Sequence, residues 1–229
     1  MDGLPVSNKT IGAPESITNQ ALETGAGLVQ NFAPVKSICA HLNAFHAYTH
    51  EPKRAAVEAN HYCAHVNEDV RQCILYDSPE QRARIIGIEY MITPKLYNTL
   101  DATEQSLWHS HVFEVKSGML IMPKPSAIPE AAWEVAENKE MEEVVHLYGK
   151  VYHLWQTDRG DKVPLGEPQL MTSYTSADQM PDFEKRLKDR DGRFGTSSQR
   201  KKEVREYMEE PATHTKADAT WAKGGHGHA

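Results

Sequence analysis

The chain has 229 residues, 39% of them hydrophobic and 25% charged, which is enough for one sizeable core. Residues 181–229 carry 11 Lys/Arg against 9 Asp/Glu and the remainder 14 against 23; a body this acidic repels phosphate backbones, which excludes a nucleic-acid partner. Mean hydropathy is negative and the longest central aliphatic run is Met119–Met122, far short of the ~20 residues of a membrane-spanning helix.

Residues 1–34 mix Gly, Pro, Ser, Thr and Asn and read as a flexible N-terminal arm. They lack the basic start and apolar block of an export leader, so a cytoplasmic protein is expected. Leu22, Leu28, Val29 and Phe32 offer only a weak amphipathic turn, opposed by Gly25 and Gly27, and Phe32 is the expected contact with the core. Ordered structure should begin at Val35. Ile38–His46 alternates as a strand, with Ile38, Ala40, Leu42 and Ala44 on one face and Cys39, His41, Asn43 and Phe45 on the other.

His61–Asn67 and Val70–Tyr76 flank Glu68-Asp69 as a hairpin, and Arg84–Thr93 is the clearest strand, ended by Pro94. A short helix is expected before Trp108, capped by Asp101 or Thr103. His109–Glu114 and then Lys116–Met122 are expected as strands. A second helix should run from Pro129 to Gly149, with Trp133, Ala136, Met141, Val144, Val145 and Tyr148 inward and Glu134, Glu137, Glu140, Glu142 and Glu143 outward. Val151–Asp158 and Gln169–Thr175 complete the sheet. Beyond Asp178 the pattern dissolves, apart from a short solvated helix at Lys201–Glu210.

Three cysteines, Cys39, Cys63 and Cys73, form no C-x-x-C pair and fit reduced thiols better than a disulfide framework. Cys63 and Cys73 would pair only if the hairpin set them opposite each other. No Gly-x-Ser-x-Gly elbow is present, and Cys39 beside His41 reads as a buried thiol ahead of a nucleophile. Gly118, Gly149, Gly160 and Gly166 are isolated, so there is no phosphate-cradling loop.

The chemistry-bearing feature is histidine. Imidazoles with a carboxylate suit a divalent transition metal, with ligands converging from several strands. His109 and His111 share one face of a strand, and His41 and His65 stand on candidate neighbouring strands. Glu114 has the opposite parity and needs a bulge to join them. His46, His61 and His153 complete the set. Taken singly, a histidine more commonly hydrogen-bonds backbone and sheet neighbours. His226 and His228 in the terminal Gly-His-Gly-His would bind metal only adventitiously.

Several blocks together carry a resemblance. Cys39–His46, His61–Asp69, Gln72–Asp77, Leu107–His111 with Glu114–Gly118, Leu147–Lys150, His153–Gly160 and Pro164–Met171 are similar to blocks of the oil-body-associated proteins, across roughly residues 35–175. The resemblance implies a non-enzymatic protein attached peripherally to the lipid-droplet surface and affecting droplet stability. It implies no catalytic or metal-binding residue.

The expectation is therefore an α+β fold: a mostly antiparallel sheet with about two packed helices at 35–178, a flexible arm at 1–34 and a charged, largely disordered tail at 179–229. Beside the droplet reading stands a second: a metal- or small-ligand-binding protein, as an enzyme or otherwise, using His109, His111, His41, His65 and Glu114.

Overall fold

Among the described residues, seven strands carry the architecture: β1 (Ala40–Tyr48), β2 (Val57–Asn67), β3 (Val70–Tyr76), β4 (Ile85–Ile92), β5 (His109–Ser110), β6 (Tyr148–His153) and β7 (Gln169–Thr172). In the computed structural model, which describes residues 10–222, all their pairings are antiparallel. The order is β4-β3-β2-β1-β7-β6, and β4 pairs back onto β6, so six strands close a barrel. β5 pairs with Tyr148 and Gly149 of β6, continuing the wall beyond β7. Closure gives each of the six barrel strands a partner on both sides over at least part of its length.

Register fixes the interior. Leu42 lies opposite His61, His61 opposite Leu75, Cys73 opposite Glu89, Glu89 opposite Val151, and Val151 opposite Met171. Side chains alternate along each strand, so these residues and their i±2 neighbours share the inner face. Leu42, Ala44, Ala59, Leu75, Met91, Val151 and Met171 supply the apolar part of that filling. The expected hairpin at Glu68-Asp69 and the strand ending before Pro94 are both present.

The helices are α1 (Ile17–Val29), α2 (Ala33–Lys36), α3 (Pro94–Tyr97), α4 (Ala102–Gln105), α5 (Val112–Lys116), α6 (Glu130–Val144), α7 (Phe183–Phe194), α8 (Ser198–Val204) and α9 (Ala219–Ala222). The expectation of about two packed helices is thus corrected. Asp101 caps α4 as expected, accepting from the backbone N–H of Thr103 and Glu104. α6 stops at Val144 instead of Gly149, because β4, β5 and β7 draw the chain from Tyr148 onward into β6. Glu137, expected on the outer face of α6, is wholly buried.

Two segments expected to be poorly ordered take regular structure. The arm forms α1, capped by the Ser16 hydroxyl, with no buried residue. The tail forms α7 and α8, and the reason is a backbone need. Residues 116–122, expected as a strand, instead end α5 and continue with turns and only an isolated bridge at Ile121, so carbonyls there lack ladder partners. Arg205 donates to the carbonyls of Val115 (3.1 Å) and Leu120 (2.8 Å), and Arg190 to that of Met119 (2.7 Å). Buried carbonyls require donors, and guanidinium supplies five. Arg205 and Lys201 also pair with Glu137, which explains its burial.

Cys63 and Cys73 form a disulfide between β2 and β3, correcting the expectation of reduced thiols; the register sets them opposite, Cα–Cα 4.0 Å. Cys39 is exposed, not buried. His226 and His228 lie outside the described residues. Among the described residues, no helix is long and apolar enough to cross a membrane.

Candidate metal centre

Seven buried titratable side chains meet in the barrel: His46 of β1, His61 of β2, Glu89 of β4, His109 of β5, His111, Glu114 of α5 and His153 of β6. The inner-face register delivers His46, His61, Glu89 and His153, because each has the parity of the apolar filling on its own strand. β5 then adds His109 opposite Gly149. Gly149 is required there: a Cβ would stand 2.3 Å from Glu89 Oε1 and 2.6 Å from His109 Nε2.

The chain does not continue as a strand beyond Ser110. It turns at His111 (φ −100°, ψ 4°) into α5, which brings Glu114 back to within 4.0 Å of His111 as an i,i+3 neighbour. The opposite-parity objection to Glu114 applied to a strand, so the helix removes it. Ser173 donates to Glu114, and Trp221 Nε1 donates to the Ser173 carbonyl. Asp218 accepts from both the backbone N–H and the hydroxyl of Ser110, clamping the residue between the two histidines. Residues from the supposed tail therefore brace the site.

Glu89 is the hub. His61 Nε2 lies 3.1 Å from its Oε2, while His109 Nε2 and His111 Nε2 lie 3.2 and 3.6 Å from its Oε1. Despite that proximity, Oε1 has no aligned hydrogen-bond donor. His46 Nε2 lies 3.2 Å from His61 Nε2, and His46 Nδ1 lies 3.0 Å from His153 Nε2. One proton on His61 Nε2 cannot serve both His46 and Glu89. His111 Nδ1 donates to the Leu147 carbonyl (2.9 Å), so in the neutral ring the Nε2 lone pair is turned toward two carboxylates. Acceptors facing acceptors call for a cation between them.

The electrostatics carry the same tension. Burial alone would raise Glu89, but the contacts of His109, His111 and His61 outweigh it and hold the carboxyl well below its ordinary range. Burial would lower His111, yet Glu89 and Glu114 lift it to about 9. Burial raises Glu114, with His111 opposing. Burial, helped by neighbouring imidazoles, drives His46 well down and His153 to about 3. The His111 proton is one way to supply the positive charge; a metal ion is another.

Of the sequence candidates, His46, His61, His109, His111, Glu114 and His153 lie in this cluster, and His41 and His65 do not. His41 has outward parity on β1, donates to Asn60 Oδ1 (3.0 Å) and stacks on Tyr62. His65 is exposed at the far end of β2, beside the register shift before Asn67. The residue that sequence reasoning missed is Glu89. Its signal was legible: one carboxylate in the middle of the apolar strand Ile85-Ile-Gly-Ile-Glu-Tyr-Met-Ile92.

A family profile described as "Protein of unknown function (DUF1264)" matches residues 32–209. The chain is 44% identical over 211 residues to oil body-associated protein 1A of Zea mays, spanning 91% of this chain and 84% of the relative. It is also 44% identical over 191 residues to oil body-associated protein 1B of Arabidopsis thaliana (83% and 75%), and 38% identical over 204 residues to protein 2A of Zea mays (88% and 77%). No solved structure matches the chain. The chain belongs to the family of the oil body-associated proteins.

Proposed function

We propose that this protein is a metalloprotein that holds a divalent transition metal with the barrel cluster. The observation that carries the reading is Glu89, 1% exposed and faced by the Nε2 atoms of three imidazoles at 3.1–3.6 Å. Buried charge is costly unless it is paired or coordinates a metal. Five imidazoles and two carboxylates are the donors that first-row divalent ions take. His153 on His46 and the Leu147 carbonyl on His111 act as outer partners that aim the ligating nitrogens. The ligands are 0–2% exposed, so the site is suited to holding an ion more than to admitting a large substrate.

Elemental analysis of untagged protein tests this. At least one equivalent of a first-row metal is expected, and a chelator should lower the melting temperature, since a ligand bound only by the folded state stabilises it. Less than about a tenth of an equivalent, both as isolated and after loading, with melting unaffected by added metal and chelator, would exclude it.

A second reading concerns location and is favoured by α1. At 100° per residue, Ile17, Ala21, Leu28, Val29 and Leu22 occupy one side, and Asn19, Gln20, Glu23 and Thr24 the other. Leu28 and Val29 are each 83% exposed. Such a helix suits peripheral, non-enzymatic attachment to a lipid-droplet surface, where it would contribute to droplet stability; the named relatives are oil body-associated. With Glu23 as its one charge, α1 would insert by apolar contact, so binding should resist salt. Flotation with phosphatidylcholine-coated triacylglycerol droplets, comparing the full chain with a chain lacking residues 1–32, checks it. Equal flotation, or none by either, would remove α1 from this role.

A further inference from the structure

We infer that the centre holds two metal ions, with Glu89 as the bridge between them; this rests on the metalloprotein reading above. The donor atoms fall into two triads that share only Glu89. One is His46, His61 and Glu89; the other is Glu89, His109 and His111. Within each triad the donor atoms all lie within 4.8 Å of one another, and among the described residues the two triads do not merge into one larger group. The rings of His46 and His109 stand 6.4 Å apart, centroid to centroid.

The spacing inside each triad fits one ion. Two bonds of about 2.1 Å at octahedral or tetrahedral angles place neighbouring donors about 3.0–3.4 Å apart. His46 Nε2–His61 Nε2 is 3.2 Å and His61 Nε2–Glu89 Oε2 is 3.1 Å. On the other side His109 Nε2–Glu89 Oε1 is 3.2 Å and His111 Nε2–Glu89 Oε1 is 3.6 Å.

Glu89 divides its oxygens between the two sides, Oε2 toward His61 and Oε1 toward His109 and His111. That is the geometry of a bridging carboxylate, which spans two ions about 3.5–4 Å apart. Each ion then has two imidazoles and one carboxylate oxygen, the donor set that first-row divalent ions accept with positions to spare. Glu114, 4.0 Å from His111, offers a further oxygen to the second ion only. His153 reaches the first side only through His46, so it orients that ligand. Two divalent ions against two carboxylates leave surplus positive charge, which coordinated hydroxide reduces.

The test uses the full chain carrying His226→Ala and His228→Ala, so that the terminal histidines add no metal. The protein is loaded with Mn(II), desalted, and assayed for manganese by elemental analysis and for ion coupling by electron paramagnetic resonance. Two equivalents with an exchange-coupled spectrum are expected. His46→Asn should leave one equivalent and an uncoupled six-line spectrum; His111→Asn reports on the opposite side if the first variant folds poorly. One equivalent with a six-line spectrum in the unsubstituted site would overturn the bridge while leaving the metalloprotein reading intact. No retained metal, together with none after loading with Zn(II), would overturn both.

Discussion

Gly149→Ala should damage the centre without removing any donor. The added Cβ would meet Glu89 Oε1 at 2.3 Å and His109 Nε2 at 2.6 Å, where ordinary contact begins at 3.4 Å. Relief requires the carboxylate and the imidazole to move by about 1 Å, and packed surroundings give way only at a cost of about 1–3 kcal/mol. For a chain of this size that corresponds to a melting temperature lower by roughly 2–12 °C. Metal sites tolerate about 0.2 Å of error in ligand distance, so metal affinity should fall by at least 10–100-fold. Gly192→Ala is the control. It lies within α7 with nothing inside 4 Å of the added Cβ, and should gain about 1 kcal/mol from helix propensity. Urea denaturation and a metal titration on both variants provide the readout. If Gly149→Ala matches the unsubstituted protein in stability and in metal affinity, Gly149 is not held by the site and the reasoning fails.

Arg205→Met strips donors from the Val115 and Leu120 carbonyls and one cation from buried Glu137, and should cost about 3–5 kcal/mol in urea denaturation. A loss below about 1 kcal/mol would mean that the C-terminal helices are accessory to the barrel. Asp218→Asn loosens the Ser110 clamp between His109 and His111 and should weaken metal binding by about 10–100-fold with the fold retained, as read by isothermal titration and far-UV circular dichroism. An unaltered affinity would release Asp218 from that role. Replacing both Cys63 and Cys73 with alanine opens a link across ten residues of sequence and should cost roughly 2–3 kcal/mol. Calorimetry showing an unchanged melting temperature would refute that contribution.

Local patterning determined a good part of this protein. Period-2 alternation and proline stops located β1 to β4, Glu68-Asp69 marked the hairpin, and Asp101 marked the start of α4. The histidine content pointed to a cluster of titratable side chains, and His109, His111 and Glu114 could be named together because they lie close in sequence. These are properties of a few consecutive residues, and short-range sterics and hydrogen bonding express them directly.

Only the tertiary structure decided which of the other histidines join them. His46 and His41 sit on the same strand with opposite parity, and alternation alone does not say which face turns inward when both are lined with mixed residues. Barrel closure through β4 and β6 makes that choice, and it brings Glu89 to the centre from a strand that reads as apolar. The same holds for the tail. Arg190, Lys201 and Arg205 look like solvated charges until the end of α5, the irregular backbone at 117–120 and the carboxylate of Glu137 are placed beside them. Charged side chains enter a core only where long-range packing supplies their partners, and those partners are invisible one segment at a time.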